Sequence, residues 1–160
     1  MDLDELIDRA LKEDRVDADL TTDPLVREGR SKKGRARLVA KDDLILSGET
    51  VFAQVVKRLD PEAEIKWLFA AGDLILKGQN IATLNCDMAQ LLKTERTALN
   101  FLGRLSGIAT LTHCFVKQIE GLPCKITDTR KTTPLLRGLE KKAVRDGGGT
   151  NHRLNLNEFV

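Results

Sequence analysis

The stretch Cys124-Lys125-Ile126-Thr127-Asp128-Thr129-Arg130-Lys131-Thr132-Thr133-Pro134 decides the class of fold. Its first four residues read as a short strand and Asp128 to Thr132 as a polar loop. Thr133 reads as an N-cap with Pro134 in the first helical position, where a fixed φ and a missing N–H do no harm. Leu135, Leu136, Leu139, Ala143 and Val144 supply the apolar stripe of the helix that follows. Gly147-Gly148-Gly149 ends it, and Glu158-Phe159-Val160 opens another apolar run. Strand, loop, helix, loop and strand in about 35 residues is the size of one βα unit of a parallel sheet or barrel. One unit cannot close a barrel, so the natural polypeptide is expected to continue past Val160.

Upstream the pattern changes. Leu3, Leu6, Ile7, Ala10 and Leu11 predict an amphipathic helix over 3–13. Asp17-Ala18-Asp19-Leu20-Thr21-Thr22-Asp23 before Pro24 is loop and cap chemistry, and Asp pairs such as Asp17/Asp19 and Asp42/Asp43 more often shape turns than bind metals. Short strands are expected at 36–40, 44–46, 65–69, 74–76 and 81–84, and a helix at 48–59. Gly72-Asp73 to Gly78-Gln79 reads as a hairpin of a barrel-sandwich fold. It looks like the tip of a biotinyl or lipoyl carrier domain, but no Met-Lys-Met-like tripeptide is there to be modified. From Met88 to about Glu120 the sequence is helical and strongly apolar, with Gly103, Ser106 and Gly107 marking a break or a close helix contact. The class is therefore α/β: an α+β barrel-sandwich-like domain over 1–110, then over 111–160 the start of an incomplete α/β barrel.

Composition narrows the function. The chain has 160 residues, 41% hydrophobic and 31% charged, enough for a packed core. No apolar run reaches the roughly 18 residues of a membrane span. Cys86, Cys114 and Cys124 form no C-x-x-C pair, which argues against a disulfide framework or zinc site and for a reducing cytoplasm. Eight Lys/Arg against four Asp/Glu fall within 125–160, so that segment carries +4 in a chain whose net charge is +2. A basic end suggests an anionic ligand. Five Phe, one Trp and no Tyr give little for base stacking, which counts against nucleic acid.

Three constellations can carry chemistry. Asp128-Thr129-Arg130-Lys131-Thr132-Thr133 lies where a strand ends, the place where open sheets and barrels build their sites. Arg130 can grip a carboxylate or phosphate with two parallel hydrogen bonds, and Lys131 adds a compact charge; a solvated basic turn is the bland alternative. Asn151-His152-Arg153 follows three glycines that fit neither a dinucleotide fingerprint nor a phosphate loop, so a flexible helix exit is the plain reading. Arg96 stands in a mostly apolar helix and either snorkels to solvent or serves a site. His113 has no partner pattern and reads as structural.

Taken in series these stretches resemble one family, nicotinate-nucleotide pyrophosphorylase (carboxylating), also called quinolinate phosphoribosyltransferase. The matching text is Asp19-Leu20-Thr21-Thr22, Gly72-Asp73 with Gly78-Gln79, Glu95-Arg96-Thr97-Ala98-Leu99-Asn100-Phe101-Leu102, and Leu105-Ser106-Gly107-Ile108-Ala109-Thr110. It continues with Asp128 to Pro134 and with Gly147-Gly148-Gly149 followed by Asn151-His152-Arg153. The resemblance implies an N-terminal α/β domain followed by a partly open α/β barrel. It also implies transfer of phosphoribosyl from phosphoribosyl pyrophosphate to quinolinate, with Mg²⁺ assisting, to give nicotinate mononucleotide, pyrophosphate and CO₂. Thr129, Arg130, Lys131, His152 and Arg153 would line the quinolinate pocket, and Arg96 would come in trans from the partner of a homodimer. No metal ligand is implied within 1–160. Ala18 and Leu135 depart from the pattern, each standing where many members carry Gly. A molybdenum-associated paralogue of the same fold and a non-catalytic biotinyl-like interaction module are the alternatives.

Overall fold

The structure is a computed structural model that describes residues 2–24 and 32–158. Helix α1 (Leu3–Glu13) is capped by Asp2, whose side chain accepts from the Glu5 N–H, and turns Ile7 and Leu11 into the core. Five strands follow: β1 (Lys33–Val39), β2 (Leu44–Ile45), β3 (Glu64–Trp67), β4 (Leu74–Ile75) and β5 (Asn80–Asp87). Helix α2 (Glu49–Leu59) lies between β2 and β3, and α3 (Met88–Gln118) and α4 (Arg137–Asp146) follow β5.

The strands make two small antiparallel sheets, β1-β5-β3 and β2-β4. The stretch from Gly72 to Ala82 is therefore not a hairpin. β4 pairs with β2, while β5 pairs with β1 and β3, so the turn at 76–79 carries the chain from one sheet to the other. Gly78, at φ 85°, makes that corner, donating its N–H to Ala40 O. Lys77 is tied by its own N–H to Asp43 and by its ammonium to Asp42, so both acids shape this corner.

The core forms where α2 and α3 cover the sheets. Val51, Phe52, Val55 and Val56 face inward from α2, and Leu91, Ala98, Leu102 and Leu105 from α3. They enclose Leu46, Ile75, Ile81 and Leu84, all at most 3% exposed. Phe52 meets Trp67 edge to face at 5.7 Å. Cys86 belongs to this core and burial pushes its thiol pKa up, whereas Cys114 and Cys124 are exposed.

Helix α3 runs 31 residues without the break that Gly103 and Gly107 suggest. Neither glycine touches anything within 4 Å of where a Cβ would sit, so no close contact requires them. Asp87 ends β5 and caps α3 at once, accepting from the N–H groups of Ala89 and Gln90. Thr110 and Ser106 on α3 receive the N–H groups of Ile45 and Ser47, which fastens the β2 end to the helix.

The C-terminal unit differs from the sequence reading in two places. The strand expected at 124–127 is reduced to one parallel bridge, Thr127 to Thr150, because a parallel pair needs flanking strands to extend it. The helix begins at Arg137, three residues after Pro134, because a turn intervenes in which Leu135 takes φ 69°. That conformation cannot propagate a right-handed helix.

Candidate functional site

The parallel bridge sets the site. Thr150 N–H donates to Ile126 O and Asp128 N–H to Thr150 O, so both segments leave the bridge in the same direction. Thr129 to Lys131 and His152 to Arg153 therefore emerge side by side, joined by a 2.8 Å bond from His152 N–H to Asp128 Oδ1.

The loop cations are uncommitted. The half-buried Arg130 makes no side-chain hydrogen bond or ion pair among the described residues, and its Nε is enclosed with no partner. Lys131 is exposed, and only its backbone is engaged, donating to Thr129 Oγ1 at 3.0 Å. His152 Nδ1 accepts the Arg153 N–H at 2.8 Å, which leaves Nε2 to carry the ring proton. The Arg153 guanidinium likewise has no acidic partner among the described residues. Cations left without protein anions are suited to an anionic ligand that supplies the missing charge. A cavity of about 180 Å³ lies under the first loop, lined by Thr129, Lys131 and Thr132 and by Asp128, Glu140 and Lys141.

Three further groups, which sequence reasoning missed, hold the loops. Arg104 of α3 donates from Nε (3.0 Å) and Nη2 (2.6 Å) to Glu140 Oε1, and Nη2 also reaches Thr133 Oγ1. Thr133 N–H donates to Glu140 Oε2. Burial pushes the Glu140 carboxyl pKa up, but the bonds from Arg104 and Thr133 outweigh it and hold it below the ordinary value. Arg137 spans both segments, donating to Thr132 Oγ1 and Arg130 O on one side and to Leu154 O on the other. Beneath them Lys141 and Asp128 form an ion pair at 2.5 Å, 2% and 7% exposed. Lys141 carries a legible signal: it lies three residues before Val144, and a lysine is out of place on that apolar side.

The three glycines do separate work. Gly147 lies against α3, where a Cβ would come 2.3 Å from Ala109 O. Gly148, at φ 89°, makes the turn. Gly149 fits between Thr112 and Val144.

Other predicted residues lie elsewhere. Arg96 is exposed on α3, and no hydrogen bond or ion pair links it to either loop. Leu92 (50% exposed) and Leu99 share its face one turn away on each side. His113 is half-buried on the last turns of α3. Asp19 closes a turn on Thr21 and Thr22, and their hydrogen bonds hold its carboxyl far below the usual range. Among the described residues no three His, Cys, Asp or Glu side chains group to hold a metal, and no helix is long and apolar enough to cross a membrane.

Comparison with known proteins gives a consistent result. Residues 19–106 match the family described as quinolinate phosphoribosyl transferase, N-terminal domain, and 108–160 its C-terminal domain. A probable nicotinate-nucleotide pyrophosphorylase (carboxylating) of Synechocystis sp. is 40% identical over 158 residues, covering 99% of this chain and 52% of that protein. One of the same description from Bacillus subtilis is also 40% identical, covering 100% and 54%. The crystal structure of NadC from Streptococcus pyogenes superposes with a TM-score of 0.91 at 38% identity, over 99% of this chain and 55% of that one. The chain spans about half the length of the curated relatives it matches.

Proposed function

The chain belongs to the quinolinate phosphoribosyltransferase family, and on that premise we propose that the whole protein joins quinolinate to phosphoribosyl pyrophosphate. The products are nicotinate mononucleotide, pyrophosphate and CO₂, a step of NAD biosynthesis. The observation that carries this reading is the set of three cations without protein anions among the described residues, Arg130, Lys131 and Arg153, with the His152 imidazole beside them, on two loops joined at Asp128. Quinolinate brings two carboxylates. The two guanidinium forks suit planar carboxylates, while the Lys131 ammonium and His152 Nε2 add single donors and Thr129 stands beside them.

These residues bind and orient; none is a nucleophile. Holding the ring nitrogen against the ribose carbon replaces a bimolecular encounter, and fixed positive charge favours the anionic substrate in a site shielded from water. Once the ring nitrogen is alkylated it can accept the electron pair released as CO₂ leaves. Mg²⁺ belongs to the reaction through the pyrophosphate of the co-substrate. The acids near the loops do not fit it, since Asp128 and Glu140 are occupied by Lys141 and Arg104.

The exposed Arg96, which has no hydrogen-bond or ion-pair partner among the described residues and stands between Leu92 and Leu99, supports a homodimer in which this arginine enters the partner's pocket. We read 1–110 as the first domain and 111–160 as the opening unit of a barrel. The three free cysteines fit a reducing cytoplasm.

The test is release of labelled CO₂ from quinolinate by the natural full-length polypeptide. Release is expected only with phosphoribosyl pyrophosphate present, and loss of it in Arg130→Ala/Lys131→Ala with the fold retained. Mixing that variant with Arg96→Ala should restore activity, because a heterodimer rebuilds one intact site. Release without the co-substrate, or unchanged activity in the double variant, would overturn the reading; failure to complement would remove Arg96 from the partner's site.

A further inference from the structure

The pair beneath the loops has a task that neither stability nor ligand binding explains. Asp128 accepts three donors: Lys141 Nζ at 2.5 Å, Asn151 Nδ2 at 2.5 Å and His152 N–H at 2.8 Å. Lys141 Nζ donates also to His152 O at 3.0 Å, and Asn151 Nδ2 to Lys141 O at 2.8 Å. His152 is thus held at both its N–H and its C=O by one ion pair. The lysine comes from the middle of α4, the aspartate from the end of the first strand segment and the asparagine from the return loop. The lysine and aspartate side chains are 2% and 7% exposed, and the bonds they make go to each other and to the loops.

A buried ion pair is weak evidence for stability, because well-packed apolar residues of similar volume often serve as well or better. What apolar residues cannot do is fix a backbone N–H and a backbone C=O of one loop against the start of another. We propose that Lys141 and Asp128 are positioning residues: they set the spacing between Arg130-Lys131 and His152-Arg153, and hence how well the site grips a planar dicarboxylate. This rests on the quinolinate reading above. The two residues act through the loops and touch no substrate.

The test uses the natural full-length protein. Asp128→Asn/Lys141→Met removes both charges together, so neither is left buried alone. The expected result is an unchanged circular dichroism spectrum and a rise of about tenfold or more in the KM for quinolinate, since small misplacements in a site are amplified in rate and affinity. The KM for phosphoribosyl pyrophosphate should stay within about twofold, whereas a general loss of folded enzyme would lower the maximal rate and leave both KM values unchanged. An unchanged quinolinate KM, or equal losses for both substrates with a lowered melting temperature, would overturn the proposal.

Amide hydrogen exchange at His152 separates this idea from the functional reading. If the unaltered protein does not bind quinolinate at all, the functional reading fails. The pair is then judged by whether the double variant speeds exchange at His152, and unaltered exchange overturns it. Should the double variant not fold, Asn151→Ala keeps both charges, removes one donor to Asp128, and is expected to move the same readouts in the same direction by less.

Discussion

Two regions of this molecule are built on opposite principles. Between Ile7 and Leu105 the buried residues are mostly aliphatic or aromatic. Between 124 and 158 they are Glu140, Lys141, Ala143 and Gly147, two of the four charged. The first region is held by apolar area, which is non-directional and tolerates small shifts. The second is held by directed polar bonds that lose their value when misaligned. Helix α3 belongs to both: its first turns fill the apolar core, and Arg104, Ala109 and Thr112 form the seat of α4. Stability is concentrated in one region and geometry in the other, and the geometry depends on the helix that the first region holds in place.

The sharpest way to break the contrast is Phe52→Ala. It deletes a ring that is 3% exposed and packed edge to face on Trp67, and should cost about 3–5 kcal/mol. Because α3 loses its support, denaturant unfolding should show Trp67 fluorescence and the amide-exchange protection of α4 falling at the same lowered midpoint. An α4 that outlasts the Trp67 signal would show the regions to be independent.

Gly147→Ala has a smaller and more local expectation. A Cβ there meets Ala109 O at 2.3 Å and Thr112 Cβ at 2.8 Å, so α4 must lift from α3 at about 1–3 kcal/mol. Hydrogen exchange should quicken in α4 and at His152, while the Trp67 environment stays as it was. A shifted Trp67 spectrum would mean that the distortion spreads into the apolar core.

Leu135→Gly should have the smallest effect and the opposite sign. Leu135 is 69% exposed at φ 69°, so its side chain contributes little packing and its backbone carries strain. Glycine removes the strain, worth about 1 kcal/mol. The measurement is the melting midpoint of the variant; a fall instead of a rise would show that the leucine earns its place through contacts.

The apolar region was largely legible in the sequence. Helical spacing located α1, α2 and α3, because burial there repeats every three or four residues and amino-acid type reports it directly. The strands were found but their partners were not: nothing in Leu74-Ile75 says that it pairs with Leu44-Ile45 and not with the strand that follows it. In the second region Arg130 and Lys131 were visible as cations on a loop beside a strand end, whereas His152 and Arg153 stood out only through the family resemblance. The supports were not visible. Lys141 falls on the apolar side of its helix, a signal masked by the Lys-Lys doublet, and only the distant Asp128 carboxylate and His152 carbonyl make its burial tolerable. The late start of α4 was also hidden, since Pro134 fits a helix start as well as it fits the turn that Leu135 completes.

The junction at Asp87 bears on how chains of this kind can vary in length. The residue that ends the central strand is also the cap of the longest helix, its own N–H held by Asp60 at 2.7 Å, so no spacer lies between sheet and helix. One residue gained or lost at 87–88 would turn α3 by about 100°. Leu91, Ala98, Leu102 and Leu105 would swing away from the sheets together, and Arg104 away from Glu140. The exposed turn at 121–123 carries no such constraint. Descendants of this sequence can lengthen or shorten at that turn, but at the strand–helix junction they can change residue type only.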